Sequence, residues 1–304
     1  MNSLESSGAA APPGRLAVGV IGAGRVGSVL GAALAAVQHR VVAVSAVSDA
    51  SRSRAESLLP GVPVVTPPEV CARADLVLVT VPDDVLPGLA RGLAEVGAWH
   101  SGQIVLHTSG RFGVEVLRPA TQLGVVPLAL HPVMTFTGTS LDLDRLVGCV
   151  FGVTAPAAFV PIADALVLEV GGEPVHVLEA ERGLYHAALA HAANHLVTLV
   201  TSASDLLSAS GIDEPARVLQ PLLAAALDNS LRVGDAALTG PVARGDAGTV
   251  AEHVRVIGAA SGETRDAYVA LARLTTLRAV SSGRLDAMQA APLLALLAAD
   301  SSDS

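Results

Sequence analysis

Residues 16–31 read LAVGVIGAGRVGSVLG. An apolar stretch runs into Gly22-x-Gly24-x-x-Gly27 and then into a helix of small residues. In such a strand–turn–helix unit the first glycine permits the tight turn. The second lets a pyrophosphate approach the backbone, and the third lets the helix pack close to the sheet. A diphosphate then rests on the free N–H groups of the helix N-terminus. The stretch predicts a Rossmann-type dinucleotide site, for NAD or NADP, with Gly22, Gly24, Arg25, Val26 and Gly27 around the diphosphate.

Outward from this unit, strand candidates at 16–21, 40–47, 62–65, 75–81, 103–108 and 125–130 alternate with helix candidates at 25–37, 51–59, 67–74, 83–96 and 113–123. Near-continuous runs such as DLVLVTV (75–81) mark strands buried on both faces, hence a parallel sheet covered by helices. After His131-Pro132 a loop is expected. Strands at 148–154 and 174–178, with a helix at 157–169 between them, should finish the same sheet. From about 180 the strand-like runs stop, and helices are expected at 180–209, 215–233, 247–260, 264–281 and 286–299. The expected fold class is α/β, a Rossmann-type doubly wound parallel sheet over 15–178 followed by an all-helical C-terminal domain over 179–300. Residues 1–14 read as a disordered leader and 301–304 as a tail.

Composition narrows the function classes. The formal net charge of −9 argues against nucleic acid and anionic membrane surfaces as partners. Hydrophobic residues make up 51% of the chain, yet no apolar run reaches the ~18–20 residues of a membrane span. The two cysteines, Cys71 and Cys149, have no metal-ligand spacing, so no metal site is expected; the pattern fits a reduced, cytoplasmic protein. All 19 basic residues are arginine. No lysine can serve as an acid, which leaves His, Tyr, Asp, Glu, Cys or water.

Beyond the second strand stand Ser48, Asp49, Ser51, Arg52 and Arg54. Asp49 could bond the ribose hydroxyls of NAD, whereas Ser48, Ser51, Arg52 and Arg54 could hold the 2′-phosphate of NADP. The reading favours NADP; the plainer alternative makes Ser51 a helix N-cap and the arginines a solvated first turn. Three later strand ends carry polar punctuation: Val81-Pro82-Asp83-Asp84, His107-Thr108-Ser109-Gly110 and His131-Pro132. Val81, Pro82 and Ser109 are expected beside the cofactor, with His107 and His131 lining the substrate cleft. A residue before proline is held extended, which aims the His131 ring. His39, His100 and His253 are expected at the surface and His176 in a structural role. On a helical wheel Asn194, Thr198, Thr201 and Asp205 share a stripe flanked by His186, His191 and His195. This nearly uncharged polar stripe fits a cleft, so His186 and Asn194 join His131 as catalytic candidates. In LTGPVARGD (238–246), two glycines and a proline hold Arg244 for a substrate carboxylate, and Asp246 is placed to cap the next helix. The Ala/Leu-rich runs 215–233 and 286–299 exceed the needs of a small helical core, so a homodimer through this domain is expected.

In order, GAGRVG, VPDD, HTSG, HPVMTF, YHAALAHAAN and LTGPVARGD resemble a bacterial family described as a Rossmann-like domain followed by a domain of unknown function, related to the 6-phosphogluconate dehydrogenase-like reductases. The match covers roughly 15–281. The resemblance implies an NADP-binding domain and a helical domain for dimerisation and substrate. The wider group includes ketopantoate reductases, prephenate dehydrogenases and pyrroline-5-carboxylate reductases. His131-Pro132 resembles the His-Pro that meets substrate in prephenate dehydrogenases. Where hydroxyacid dehydrogenases place a lysine one helical turn before an asparagine, this chain has Ala190 before Asn194. The expected activity is an NADPH-dependent reductase of a small 2-oxo acid, a ketopantoate-like substrate ranked first. A prephenate dehydrogenase- or imine reductase-like oxidoreductase and a non-catalytic dinucleotide-binding module are the alternatives.

Overall fold

The computed structural model describes residues 14–299. The expected leader, apart from Gly14, and the tail 301–304 lie outside the described residues. The described chain divides into two compact units at Leu189–Ala190.

In the first unit seven strands, β1 (Ala17–Ile21), β2 (Arg40–Ser45), β3 (Leu76–Val79), β4 (Ile104–His107), β5 (Val126–Pro132), β6 (Val150–Thr154) and β7 (Glu173–His176), form one sheet in the order β2-β1-β3-β4-β5-β6-β7. Helices α1 (Arg25–Ala36), α2 (Asp49–Leu58), α3 (Pro67–Cys71), α4 (Leu86–Glu95), α5 (Arg118–Thr121), α6 (Leu141–Leu146) and α7 (Val160–Glu169) punctuate the strands. Strand alternation divides the core between two faces. Val18, Val20, Leu76, Leu78 and Leu106 meet Val29, Leu30 and Leu34 of α1 on one side. Val77, Val79 and Val105 meet Val70, Leu86, Ala90 and Leu93 on the other.

Two strand expectations change. The strand expected over 62–65 shrinks to one parallel bridge, Val64 with Val44 of β2. Pro63 lies in the middle of that segment and has no N–H, so only its carbonyl and the Val65 N–H bond to Val44. The sheet is also not wholly parallel, because β6 runs antiparallel to β5. The connection between them holds only the six-residue α6, about 9 Å of helix, too short to recross the sheet. The chain therefore starts β6 from the edge where β5 ended, with Val133 N–H bonded to the Val150 carbonyl. Helix α6, where a loop was expected, holds Asp142 fully buried. Burial opposes ionisation of Asp142, but N–H bonds from Gly138 and Thr137 outweigh it and lower its pKa.

The long helix α8 (Arg182–Ala209) runs through the division. In the second unit follow α9 (Pro215–Val233), α10 (Gly240–Ala243), α11 (Ala247–Ala260), α12 (Gly262–Ser281) and α13 (Ala287–Ala299). Asp246 caps α11 by accepting the Thr249 N–H. The core of this unit gathers Val250 and Val254 of α11, Val269 and Ala272 of α12, and Leu293 and Leu297 of α13. The 286–299 run gives Ala290, Leu293 and Leu297 to this core and leaves Met288 84% exposed. Among the described residues, α9 buries only Leu219, and no helix is long and apolar enough to cross a membrane.

Candidate active site

The glycine turn has the shape the sequence implies. Gly22 sits at φ +94°, which an L side chain rarely adopts, and a Cβ at Gly27 would collide with Thr80 Oγ1 and the Gly22 carbonyl. A Cβ at Gly24 would meet only the Gly22 carbonyl, 3.9 Å away, so the turn is open on that side. No side chain caps α1 at Gly24. Its first N–H groups, those of Arg25 and Val26 included, therefore point at an anion position. This cradle fits a dinucleotide diphosphate. Thr80, at the end of β3, ties the turn down by donating Oγ1–H to the Gly22 carbonyl at 2.7 Å. Val81 and Pro82 follow directly.

Beyond β2, Ser48 rather than Ser51 is the N-cap of α2. Ser48 Oγ accepts the Ser51 N–H, and Ser51 Oγ–H donates to the Ser48 carbonyl at 2.7 Å. The two hydroxyls expected in a phosphate pocket are thus committed to the helix start. The arginines are differently placed. Arg52 is exposed. Arg54 donates to the Ala50 carbonyl, and its side chain meets that of Arg25 around Gly138.

The histidines sort clearly. His107 is 0% exposed. Its Nε2 bonds the Gly113 carbonyl at 2.8 Å, and its Nδ1 accepts the Ser109 N–H. Burial pushes its pKa down to about 4, so the ring is neutral. With both nitrogens used inside its own loop, His107 shapes the 109–113 turn instead of lining the cleft as expected. Ser109 Oγ accepts the Phe112 N–H, and its carbonyl accepts from Arg182. His39, expected at the surface, is 5% exposed and bridges the Leu16 N–H and Glu169. His253 is half-buried against the Tyr268 hydroxyl. His100 and His176 are exposed, His176 pairing with Asp164.

His131, near the end of β5, belongs to a cluster. Its Nδ1 lies 2.9 Å from the Tyr185 hydroxyl on α8, and the His131 and His186 rings meet edge to face at 6.3 Å. Burial, then the positive charge of Arg182, lowers the His131 pKa to about 4; Asp83 after β3 opposes weakly. Arg182 is 1% exposed. Its guanidinium donates to Thr154 Oγ1 and to the carbonyls of Ser109, Ala129 and Gly152. Every one of these acceptors is neutral, and the opposing carboxylate charge acting on Arg182 is that of Glu179. Neither Arg182 nor Tyr185 was among the candidates taken from the sequence. A signal existed: the chain has two tyrosines in all, and one adjoins His186.

Asn194 and Arg244 belong to the second unit, where both are exposed. Arg244 lines a groove with Thr239 and Arg284. Among the described residues, no group of His, Cys, Asp and Glu could hold a metal ion.

A model of the Rossmann-like domain matches residues 1–132, and one of a domain of unknown function (DUF2520) matches 149–275. The chain joins a Rossmann-like domain to a DUF2520 domain. No curated protein matches it. Among solved structures, a putative NADP oxidoreductase from Bacteroides fragilis is 21% identical, with 86% of this chain and 98% of that one covered and a TM-score of 0.69. A Thermotoga maritima protein is 22% identical over 87% and 99%, with a TM-score of 0.64. An imine reductase variant from Myxococcus stipitatus, in complex with NAD+, is 20% identical over 89% and 95%, with a TM-score of 0.56. At these identities the likeness is one of fold. The Rossmann-like–DUF2520 chain shares with them an α/β domain followed by helices.

Proposed function

We propose that the protein is an NADPH-dependent reductase of a small 2-oxo acid or a related imine, with a ketopantoate-like acid ranked first. The observation that carries the reading is the His131–Tyr185–His186 cluster in the unit that also holds the open glycine cradle. Asp83, two residues beyond Val81, is close enough to His131 to act on its charge, which ties the cluster to the strand ends beside the cradle. A dinucleotide-holding module needs a cradle but no half-buried His–Tyr–His cluster beside it. The oxidoreductases of similar fold support the same reading.

NADPH, when bound, would supply the hydride. The chain's own groups would do the rest. The uncapped N-terminus of α1 holds the diphosphate, Val81, Pro82 and Ser109 border the cofactor, and Arg25, Arg52 and Arg54 favour the extra phosphate of NADP. Asn194 and Arg244 are assigned to the substrate, Arg244 by bidentate bonding to a carboxylate. The working protein is proposed to be a homodimer through the helical unit, since α9 leaves Leu222, Leu227, Leu231 and Val233 exposed. Both cysteines are free and buried, in keeping with a cytoplasmic setting. The experiment is NADPH oxidation by the purified protein over a panel of 2-oxo acids and cyclic imines. Substrate-dependent oxidation supports the reading. Bound NADPH that no panel member consumes supports the non-catalytic module instead.

A further inference from the structure

We propose that Tyr185 hands the proton to the substrate and that His131 and His186 resupply it; this rests on the reductase reading above. Three features of the packing single out the phenol. First, Gly152 faces His131 across the β5–β6 pairing, and a Cβ there would strike the Tyr185 hydroxyl. Glycine at that position lets the phenol reach His131. Second, a Cβ on Gly110 would stand 2.8 Å from His186 Cδ2 and 3.0 Å from His131 Nε2. The two rings converge over that bare backbone, which explains the glycine of HTSG. Third, the Arg182 guanidinium lies 5.7 Å from the centre of the Tyr185 ring, with all its hydrogen bonds to neutral acceptors. Its charge is available to stabilise a phenolate.

The charges agree with this placement. Burial holds the Tyr185 phenol above its ordinary value, and Arg182 offsets only part of that rise. His131, lowered to about 4, is neutral and carries one ring N–H. A neutral imidazole cannot be the stored acid at neutral pH, but it can pass a proton between its two nitrogens. In the step itself, the substrate carbonyl gains the hydride at carbon and its π pair moves to oxygen. That oxygen takes the proton of Tyr185 as the phenolic O–H bond breaks. The phenolate is left between His131 Nδ1–H and Arg182. The Nδ1 proton then moves to the phenolate, while Nε2 gains one from the side of His186, which is half-buried and open to water. In sum, carbonyl, NADPH and one solvent proton give alcohol and NADP+. For an imine, nitrogen takes the place of the carbonyl oxygen.

Tyr185→Phe tests the proposal, because it keeps the ring and removes only the hydroxyl. Its kcat should fall by roughly 10²–10⁴, with KM and NADPH affinity nearly unchanged. Turnover at the wild-type kcat overturns the proposal while leaving the reductase reading intact. A protein that reduces no panel member overturns both. A second readout needs neither substrate nor cofactor. Tyr185 and Tyr268 are the two tyrosines of the chain, so the ultraviolet titration of wild type minus that of Tyr185→Phe isolates one phenol. His131→Asn should shift that titration by roughly half a pH unit or more. An unshifted titration overturns the relay through His131.

Discussion

The two units use apolar sequence differently. In the Rossmann-like unit Val18, Val20, Val77 and Leu78 are fully buried, and each sheet face has its own cluster. In the helical unit the core belongs to α11, α12 and α13, while Leu222 and Leu231 of α9 are 64% and 80% exposed. Leucines at such exposure, repeated along one helix, form a surface that a self-sufficient domain rarely leaves open. The first unit carries the glycine cradle and the His131–Tyr185–His186 cluster. The second leaves an apolar face of α9 uncovered, and the proposed homodimer would form there.

The largest expected effect falls on the first unit. Arg182→Met removes the donor to three carbonyls and to Thr154, which leaves buried acceptors unpaired. We expect a loss of about 3–5 kcal/mol in chemical denaturation. A loss under about 1 kcal/mol would mean that water replaces the guanidinium and that this unit is looser than its burial implies.

Acid should separate the units next. His107 and His131 have pKa values lowered from 6.5 to about 4 in the folded state. As pH falls from 6.5 toward 4, the unfolded chain binds protons that the folded unit refuses, so stability falls through that window. Each group contributes up to a few kcal/mol at about 1.4 kcal/mol per pH unit. Denaturation across the window checks this, and replacing His107 by Asn should flatten the slope. A flat profile in the wild type would contradict the buried neutral rings.

A smaller effect concerns cofactor choice. Replacing Arg52 and Arg54 together by Ala should weaken NADPH by roughly tenfold, about 1.4 kcal/mol, and leave NADH nearly unchanged. Equal losses for both would show that these side chains only stabilise α2. The smallest effect on folding should come from the exposed face of α9. Leu222→Glu with Leu231→Glu should change monomer stability by no more than about 0.5 kcal/mol each. The pair should nevertheless convert the proposed dimer to monomer in light scattering. A dimer that persists would move the interface off α9.

How much was legible in the sequence follows the same division. The strand–glycine–helix unit could be read directly because its chemistry is local: the turn at Gly22 and the packing of Gly27 on Thr80 involve neighbours fixed by the fold. His131 was legible from the proline that follows it. Tyr185 and Arg182 were not, because their roles depend on the β5–β6 pairing, which places Gly152 opposite His131. The antiparallel turn of β6 could not be read from apolar runs, since a buried strand reads the same in either direction. His107 misled for the converse reason. A histidine at a strand end looks like a ligand contact until its two nitrogens are seen to be spent on Gly113 and Ser109. In the helical unit, 286–299 gives Ala290, Leu293 and Leu297 to the core, whereas 215–233 buries only Leu219.

In the proposed site the first unit holds a dinucleotide diphosphate against the bare backbone at Gly24. Calorimetric titration of NADPH into wild type and into Gly24→Val tests it most directly. A Cβ at Gly24 meets no protein atom closer than the Gly22 carbonyl, so the variant should stay folded with a melting temperature near that of the wild type. Wild type should bind NADPH, and the variant should lose about a hundredfold in affinity, roughly 2.8 kcal/mol. Equal affinity in the two proteins, with both fully folded, would contradict it.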